Sequence, residues 1–174
     1  MSDVIVDACC LINLCTSLRL REILDSTGHR FFICPAVKAE SMFFEFEVEG
    51  KLNREEVDLD SHIASGTLTL AQVQDVEETS LYVKYAANLD DGEAMSMAIA
   101  AKRGWTLMTD DRRARKIAVN EGITIIDTTE AVHSWLGDPT RSAEARKVIQ
   151  SIVRFARFTP RSDAAYADWW QRHM

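Results

Sequence analysis

Residues 89–112 read LDDGEAMSMAIAAKRGWTLMTDDR, and this stretch settles the class of fold. Asp90 suits the cap of a helix, because its carboxylate can accept from the free amides of the first turn. The segment from Ala94 to Ala101 is apolar on nearly every face, which marks a buried helix. Gly104 stops that helix after Arg103, since glycine enters the left-handed conformation that closes helices at little cost. Trp105 to Thr109 then reads as a short strand ending at Asp110 and Asp111. Asp111 to Glu121 reads as the next helix, closed by Gly122. Strands alternating with helices in this way predict an α/β fold: a central parallel sheet with helices on both faces.

The rest of the chain continues the pattern. Residues 3–7 predict a strand. Residues 10–25 predict a helix broken near Thr16-Ser17, and residues 30–34 a second strand. Pro35 opens a helix, because its fixed φ and missing N–H suit the first helical position; Glu40 is expected about a turn and a half into it. Residues 51–65 predict a charged helix ended by Gly66, residues 67–73 a strand and residues 75–87 a helix. Ile123 to Ile126 predicts a last strand. Asp127 or Thr128 caps a helix that ends near Gly137-Asp138-Pro139. A long helix from Ser142 to Phe158, ended by Pro160, and a short one from Asp163 to Arg172 form a C-terminal helical extension. Pattern and charge both change at Pro139, so the expected division is residues 1–138 and residues 139–174.

A chain of 174 residues, 47% hydrophobic and 27% charged, predicts one globular domain. It contains no apolar run near the ~20 residues a bilayer span needs. It opens on a strand without a signal-peptide pattern, so a cytoplasmic protein away from membranes is expected. Cys9, Cys10, Cys15 and Cys34 match no zinc spacing, with or without His29, His62, His133 and His173. Small buried thiols are the expected reading.

Six acids mark a candidate site: Asp7, Glu40, Asp90, Glu93, Asp110 and Asp111. Each falls where a strand ends or a helix begins, the edge at which open parallel sheets bind ligands. Carboxylates gathered there raise each other's pKa unless a cation lies between them. An all-oxygen set favours Mg²⁺ or Mn²⁺ over zinc or copper. Each acid also has a local alternative. Asp7 could cap the helix after it. A helical Glu40 could simply be solvated. Asp90 with Glu93 fits a capping pattern, and Asp111 could pair with Arg115 one turn on. Arg112, Arg113, Arg115 and Lys116 follow the last acids closely enough to meet a phosphate chain. The chain thus reads as a metal-dependent hydrolase.

Four motifs recur in a known order: a strand ending in Asp7-Ala8-Cys9, then Pro35-Ala36-Val37-Lys38-Ala39-Glu40, Asp90-Asp91-Gly92-Glu93-Ala94 and Thr109-Asp110-Asp111-Arg112. Over residues 3–135 the chain resembles the PIN domain nucleases, most of all the bacterial and archaeal branch near the VapC-type toxins. The resemblance implies a three-layer sandwich and an Mg²⁺- or Mn²⁺-dependent endoribonuclease acting on RNA. It implies Asp7 as first acid, Glu40 as second, Glu93 as third and Asp110 or Asp111 as fourth, with Thr109 or Asp90 assisting. It also implies a homodimer and, for a toxin, a small antitoxin protein as partner. Cys9 stands where the family often has Ser or Asn. The reading from another class is a PIN-like RNA-binding or regulatory protein with little catalysis.

Net charge is −7, but unevenly spread: residues 1–138 carry 13 Lys and Arg against 24 Asp and Glu, residues 139–174 carry 7 against 3. The tail repeats Val148, Ile149, Ile152 and Val153 at helical spacing and ends in Tyr166, Trp169 and Trp170. Packing back on the domain is the expected role. A phosphate-tracking surface and a subunit contact are the alternatives.

Overall fold

The computed structural model describes residues 1–40, 43–48, 51–137 and 142–174. In chain order the elements are β1 (Asp3–Val6), α1 (Ala8–Thr16), α2 (Leu20–Thr27), β2 (Arg30–Ile33), α3 (Pro35–Ala39), β3 (Phe43–Val48), β4 (Lys51–Glu56), α4 (Leu59–Ala64) and β5 (Thr69–Leu70). They continue with α5 (Val76–Ala86), α6 (Asp91–Arg103), β6 (Thr106–Met108), α7 (Arg112–Asn120), β7 (Ile125–Ile126), α8 (Thr128–Leu136), α9 (Ser142–Ala156) and α10 (Ala167–His173). Five strands form one parallel sheet in the order β5-β2-β1-β6-β7.

The sheet is buried because its strands are apolar throughout. Val4, Ile5 and Val6 of the central strand have no exposed surface. Helix α6 packs on β1 and β6 and carries α3 and α5 beside it, while α1, α2, α8 and α9 pack together as the second helical layer. The apolar α6 is sealed as expected, by Asp90 at its start and by Gly104 at φ +66 after its end. Each fully buried Leu or Ile here contributes about 1.5–3 kcal/mol.

Strand order reverses beside β1: the chain goes to β2 on one side and returns to β6 on the other. That reversal leaves a crevice at the carboxyl ends of β1 and β6, where ligands bind in open α/β sheets. Register pairs Val6 with Met108, and the Asp7 amide donates to the Met108 carbonyl at 3.0 Å. Asp7 and Thr109-Asp110 are therefore side by side by construction.

The C-terminal segment shares this core. Helix α9 buries Ala145, Val148, Ile149 and Ile152, and α10 buries Trp170, whose ring meets Phe158 edge-on at 5.4 Å. The Ser151 hydroxyl donates to the Thr16 carbonyl at 2.6 Å and ties α9 to the end of α1. The break near Thr16-Ser17 is present, with Leu18 at φ +59 between α1 and α2. Pro139, the expected division point, lies outside the described residues.

Three expectations are corrected. Residues 51–65 are not one helix. Residues 51–56 form β4, paired antiparallel with β3, and only Leu59–Ala64 is helical. The helix formers in Lys51–Glu56 yield to cross-strand pairing, and the Arg54 guanidinium lies 3.6 Å from the centre of the Phe43 ring. Helix α3 ends at Ala39, so Glu40 is its C-cap in an extended conformation and not a residue within it. The strand expected over residues 67–73 keeps only Thr69–Leu70 in the sheet. No helix among the described residues is long and apolar enough to cross a membrane.

Candidate active site

The crevice between β1 and β6 holds two unlike carboxylates. Asp7 caps α1: its Oδ1 accepts from the Cys10 amide at 2.8 Å. Its Oδ2 is buried without a hydrogen-bond partner. Burial pushes its carboxyl up to about 7, against the lowering influence of the nearby Thr109 hydroxyl and the Cys10 amide and with the Asp110 charge adding. Asp110 is the opposite case. Its Oδ2 accepts from Asn13 Nδ2 at 2.9 Å, from the Thr128 hydroxyl at 2.5 Å and from the Cys10 thiol at 3.2 Å. Its Oδ1 accepts from the Thr128 amide at 3.2 Å. Burial raises the Asp110 pKa, and the Thr128 and Cys10 donors oppose the rise.

The remaining acids ride on helix starts. Asp90 caps α6 through the Glu93 amide at 2.9 Å. Asp111 caps α7, its Oδ1 accepting from the Arg113 amide at 2.7 Å and the Ala114 amide at 2.8 Å. The Glu93 carboxyl is pushed up to about 7, first by burial and then by the charges of Asp111 and Asp90. Between the two groups lies Cys9, which reaches solvent where a buried thiol was expected. Protein surrounds the thiol closely enough that desolvation raises it, and the charges of Asp7, Glu93, Asp110 and Asp111 add to a value of about 12. The charges of all four carboxylates thus reach Cys9.

Glu40 approaches the rim from α3. Its Oε1 would lie 2.2 Å from a Cβ built on Gly92, so only glycine at 92 permits this seat. Partial burial and the charges of Asp90 and Asp91 raise its pKa. The six predicted acids therefore form one continuous rim: Asp110 and Asp7, then Glu93 with Asp111, then Asp90 and Glu40. They do not enclose a common point. Among the described residues no three His, Cys, Asp or Glu side chains are grouped closely enough to hold a metal ion.

The predicted substrate-binding residues are divided. Thr109 is buried, and its hydroxyl accepts from the Asp111 amide at 3.1 Å, so it shapes the turn carrying both acids. Arg112 is exposed. The Arg113 guanidinium donates to the Asn88 carbonyl at 2.9 Å, and its charge lowers the Glu93 pKa. Arg115 Nη1 donates to the Thr109 carbonyl at 3.2 Å and lies 3.3 Å from Asp127 Oδ2. Asn13 and Thr128 were not predicted. Their signal was a polar residue inside the apolar run Leu11-Ile12-Asn13-Leu14, because a buried amide requires a partner.

The donor set suits a hard divalent cation. It is all carboxylate, and one buried carboxylate oxygen, Asp7 Oδ2, has no protein donor to satisfy it.

No curated protein and no solved structure matches the chain. A family model described as PIN domain matches residues 3–151, which takes in the whole sheet, the acidic rim and most of α9. With that share of its length matched, the chain belongs to the PIN domain family.

Proposed function

We propose that this chain is an endoribonuclease that hydrolyses RNA phosphodiester bonds with Mg²⁺ or Mn²⁺. The observation that carries this reading is the buried, unpartnered Asp7 Oδ2 in the crevice, near Asp110 and close enough to Glu93 and Asp111 that all four charges reach Cys9. PIN domains are generally nucleases that act on nucleic acid and use divalent ions. Asp7, Glu93 and Asp111 are the residues that would hold the ion once their side chains turn toward one another from the positions described, with Asp110 oriented beside them and Glu40 and Asp90 extending the rim. When bound, the ion neutralises charge developing on the phosphate and lowers the pKa of water. The Glu93 carboxyl, pushed up to about 7 by burial and by the charges of Asp111 and Asp90, is one that a cation beside it would return to the charged form. Thr128, Asn13 and Cys10 keep Asp110 in one orientation, and Arg113 places a positive charge near Glu93 for the RNA backbone.

The test is a cleavage assay on single-stranded and structured RNA with Mg²⁺, Mn²⁺ or EDTA. Cleavage in either metal, lost in EDTA and in Asp7→Asn, supports the reading. Equal cleavage in EDTA, or by the variant, overturns it.

A second reading is an RNA-binding or regulatory protein with little catalysis. It is favoured by one observation: no three rim side chains among the described residues close around a common point. RNA binding without products in either metal would select it. The motifs Asp90-Asp91-Gly92-Glu93-Ala94 and Thr109-Asp110-Asp111-Arg112 support a finer role, the cytoplasmic toxin of a toxin–antitoxin pair working as a homodimer. Growth arrest on expression, relieved by the product of an adjacent reading frame, would test the toxin; the mass of the purified protein would test the dimer.

A further inference from the structure

Beyond the acidic rim, a small open cleft lies between the carboxyl ends of the sheet and the C-terminal segment. Two arginines, Arg115 and Arg161, and three aspartates, Asp110, Asp127 and Asp163, line it with Phe158. Asp110 belongs to the rim, so the cleft adjoins the proposed reaction centre. Residues 158–164 form its outer wall and are firmly held. Phe158 packs on the buried Trp170, Pro160 is itself buried, and the Ala164 amide donates to the Arg161 carbonyl at 3.1 Å.

The charges in the cleft are not equally committed. Asp110 is satisfied by Cys10, Asn13 and Thr128. Asp127 is buried; its Oδ1 accepts from the Glu130 amide at 3.0 Å and the Thr129 hydroxyl at 2.5 Å, and its Oδ2 faces Arg115. The two arginines are less occupied. Among the described residues Arg115 uses only Nη1, on the Thr109 carbonyl and Asp127. Arg161 uses only Nη2, on Asp163, whose side chain is 66% exposed, and such a surface pair is worth ~0–1 kcal/mol. The Asp163 carboxyl also feels the Arg115 charge, so the two guanidiniums flank one space. Two half-free guanidiniums on a fixed wall suit an anion with several oxygens, above all a phosphate.

We infer that the cleft between Arg115 and Arg161 seats a phosphate of the RNA strand next to the acidic rim, making residues 158–164 part of the substrate surface. The inference rests on the reading of RNA as substrate. The phosphate would take the place of the exposed Asp163 on Arg161, and a binding role falls to a segment that also packs in the core.

The experiment uses the full chain and a fluorescein-labelled single-stranded RNA, with binding followed by anisotropy across a NaCl series in Ca²⁺ and in EDTA. Arg161→Gln should weaken binding about tenfold at low salt and flatten the slope of log K against log salt by about 0.7, one phosphate contact on a single strand. Arg161→Lys should keep the wild-type slope. Arg172→Gln, on the exposed face of α10, is the charge-matched control. Arg161→Gln matching that control, with both folded by circular dichroism, overturns the inference. A wild-type chain that binds no RNA overturns both this inference and the proposed function. Binding that depends on Arg161 without cleavage in Mg²⁺ or Mn²⁺ removes only the nuclease reading.

Discussion

The acidic rim has two halves built by different means. The strand half, Asp7 and Asp110, is sunk into the core at the ends of β1 and β6. The helix half, Glu40, Asp90, Glu93 and Asp111, stands on helix ends nearer the surface. In the strand half, burial dominates: Asp110 is clamped by four hydrogen bonds while its neighbour Asp7 has an orphaned oxygen. In the helix half, position comes from caps and from one steric fit, Glu40 over Gly92. The difference teaches where stability and function compete. Charge weighs on the fold at Asp7, Asp110 and Glu93, whereas the carboxylates of Asp90 and Asp111 serve it as helix caps.

The largest effect should come from Asp7→Asn in metal-free protein. The folded pKa of Asp7 lies at about 7 against a reference of 3.8, so ionisation opposes folding. The native state therefore holds a proton that the unfolded state releases, and stability falls as pH rises from about 4 to about 7. The penalty is absent below the unfolded pKa and complete above the folded one. Asn removes the charge and still caps the helix, so the variant should gain up to about 4 kcal/mol at pH 8 and lose most of its advantage near pH 4. Urea unfolding in EDTA at the two pH values measures this; a variant less stable than wild type at pH 8 would break the comparison.

Next in size is Thr128→Val. It removes the hydroxyl that donates to Asp110 at 2.5 Å and leaves a buried carboxylate short of a donor. The expected loss is about 1–3 kcal/mol in the same unfolding experiment. No loss would mean that Asp110 is not held as described.

Gly92→Ala should change stability least and function most selectively. The new Cβ would meet Glu40 Oε1 at 2.2 Å and Val37 Cγ2 at 3.2 Å, and the exposed Glu40 can swing away. Helix propensity favours Ala by about 0.5–1 kcal/mol, so the melting point should hold or rise while RNA cleavage falls. Unchanged cleavage would remove Glu40 from the site.

Much of the fold was legible because its signals were local. Asp90 and Gly104 delimit α6 by capping chemistry alone, and Val4-Ile5-Val6 could only be a buried strand. The antiparallel pair β3–β4 was not legible, since Lys51–Glu56 has helix-forming residues and its strand character comes from a partner segment. Glu40 was misplaced for a related reason: a proline announces where a helix begins, but nothing in Val37-Lys38-Ala39 announces that it stops after a turn. The six acids were found from their places at element ends. The division between clamped Asp110 and orphaned Asp7 was not, because Asn13 and Thr128 lie 97 and 18 residues from Asp110 in the chain. The C-terminal stripe predicted packing, while the sharing of one cleft by Arg115 and Arg161, far apart in the chain, left no local signal.

The claim at the centre is that a divalent cation answers the uncompensated carboxylates. Thermal unfolding of wild type and Asp7→Asn at neutral pH, in EDTA and in millimolar Mn²⁺ or Mg²⁺, tests it most directly. At a metal concentration of ~100 Kd, mass action adds ~2.7 kcal/mol, which for a domain of this size raises Tm by roughly 5–10 °C. The account predicts that rise for wild type and less than half of it for Asp7→Asn. No rise in wild type, or the same rise in both proteins, would contradict it.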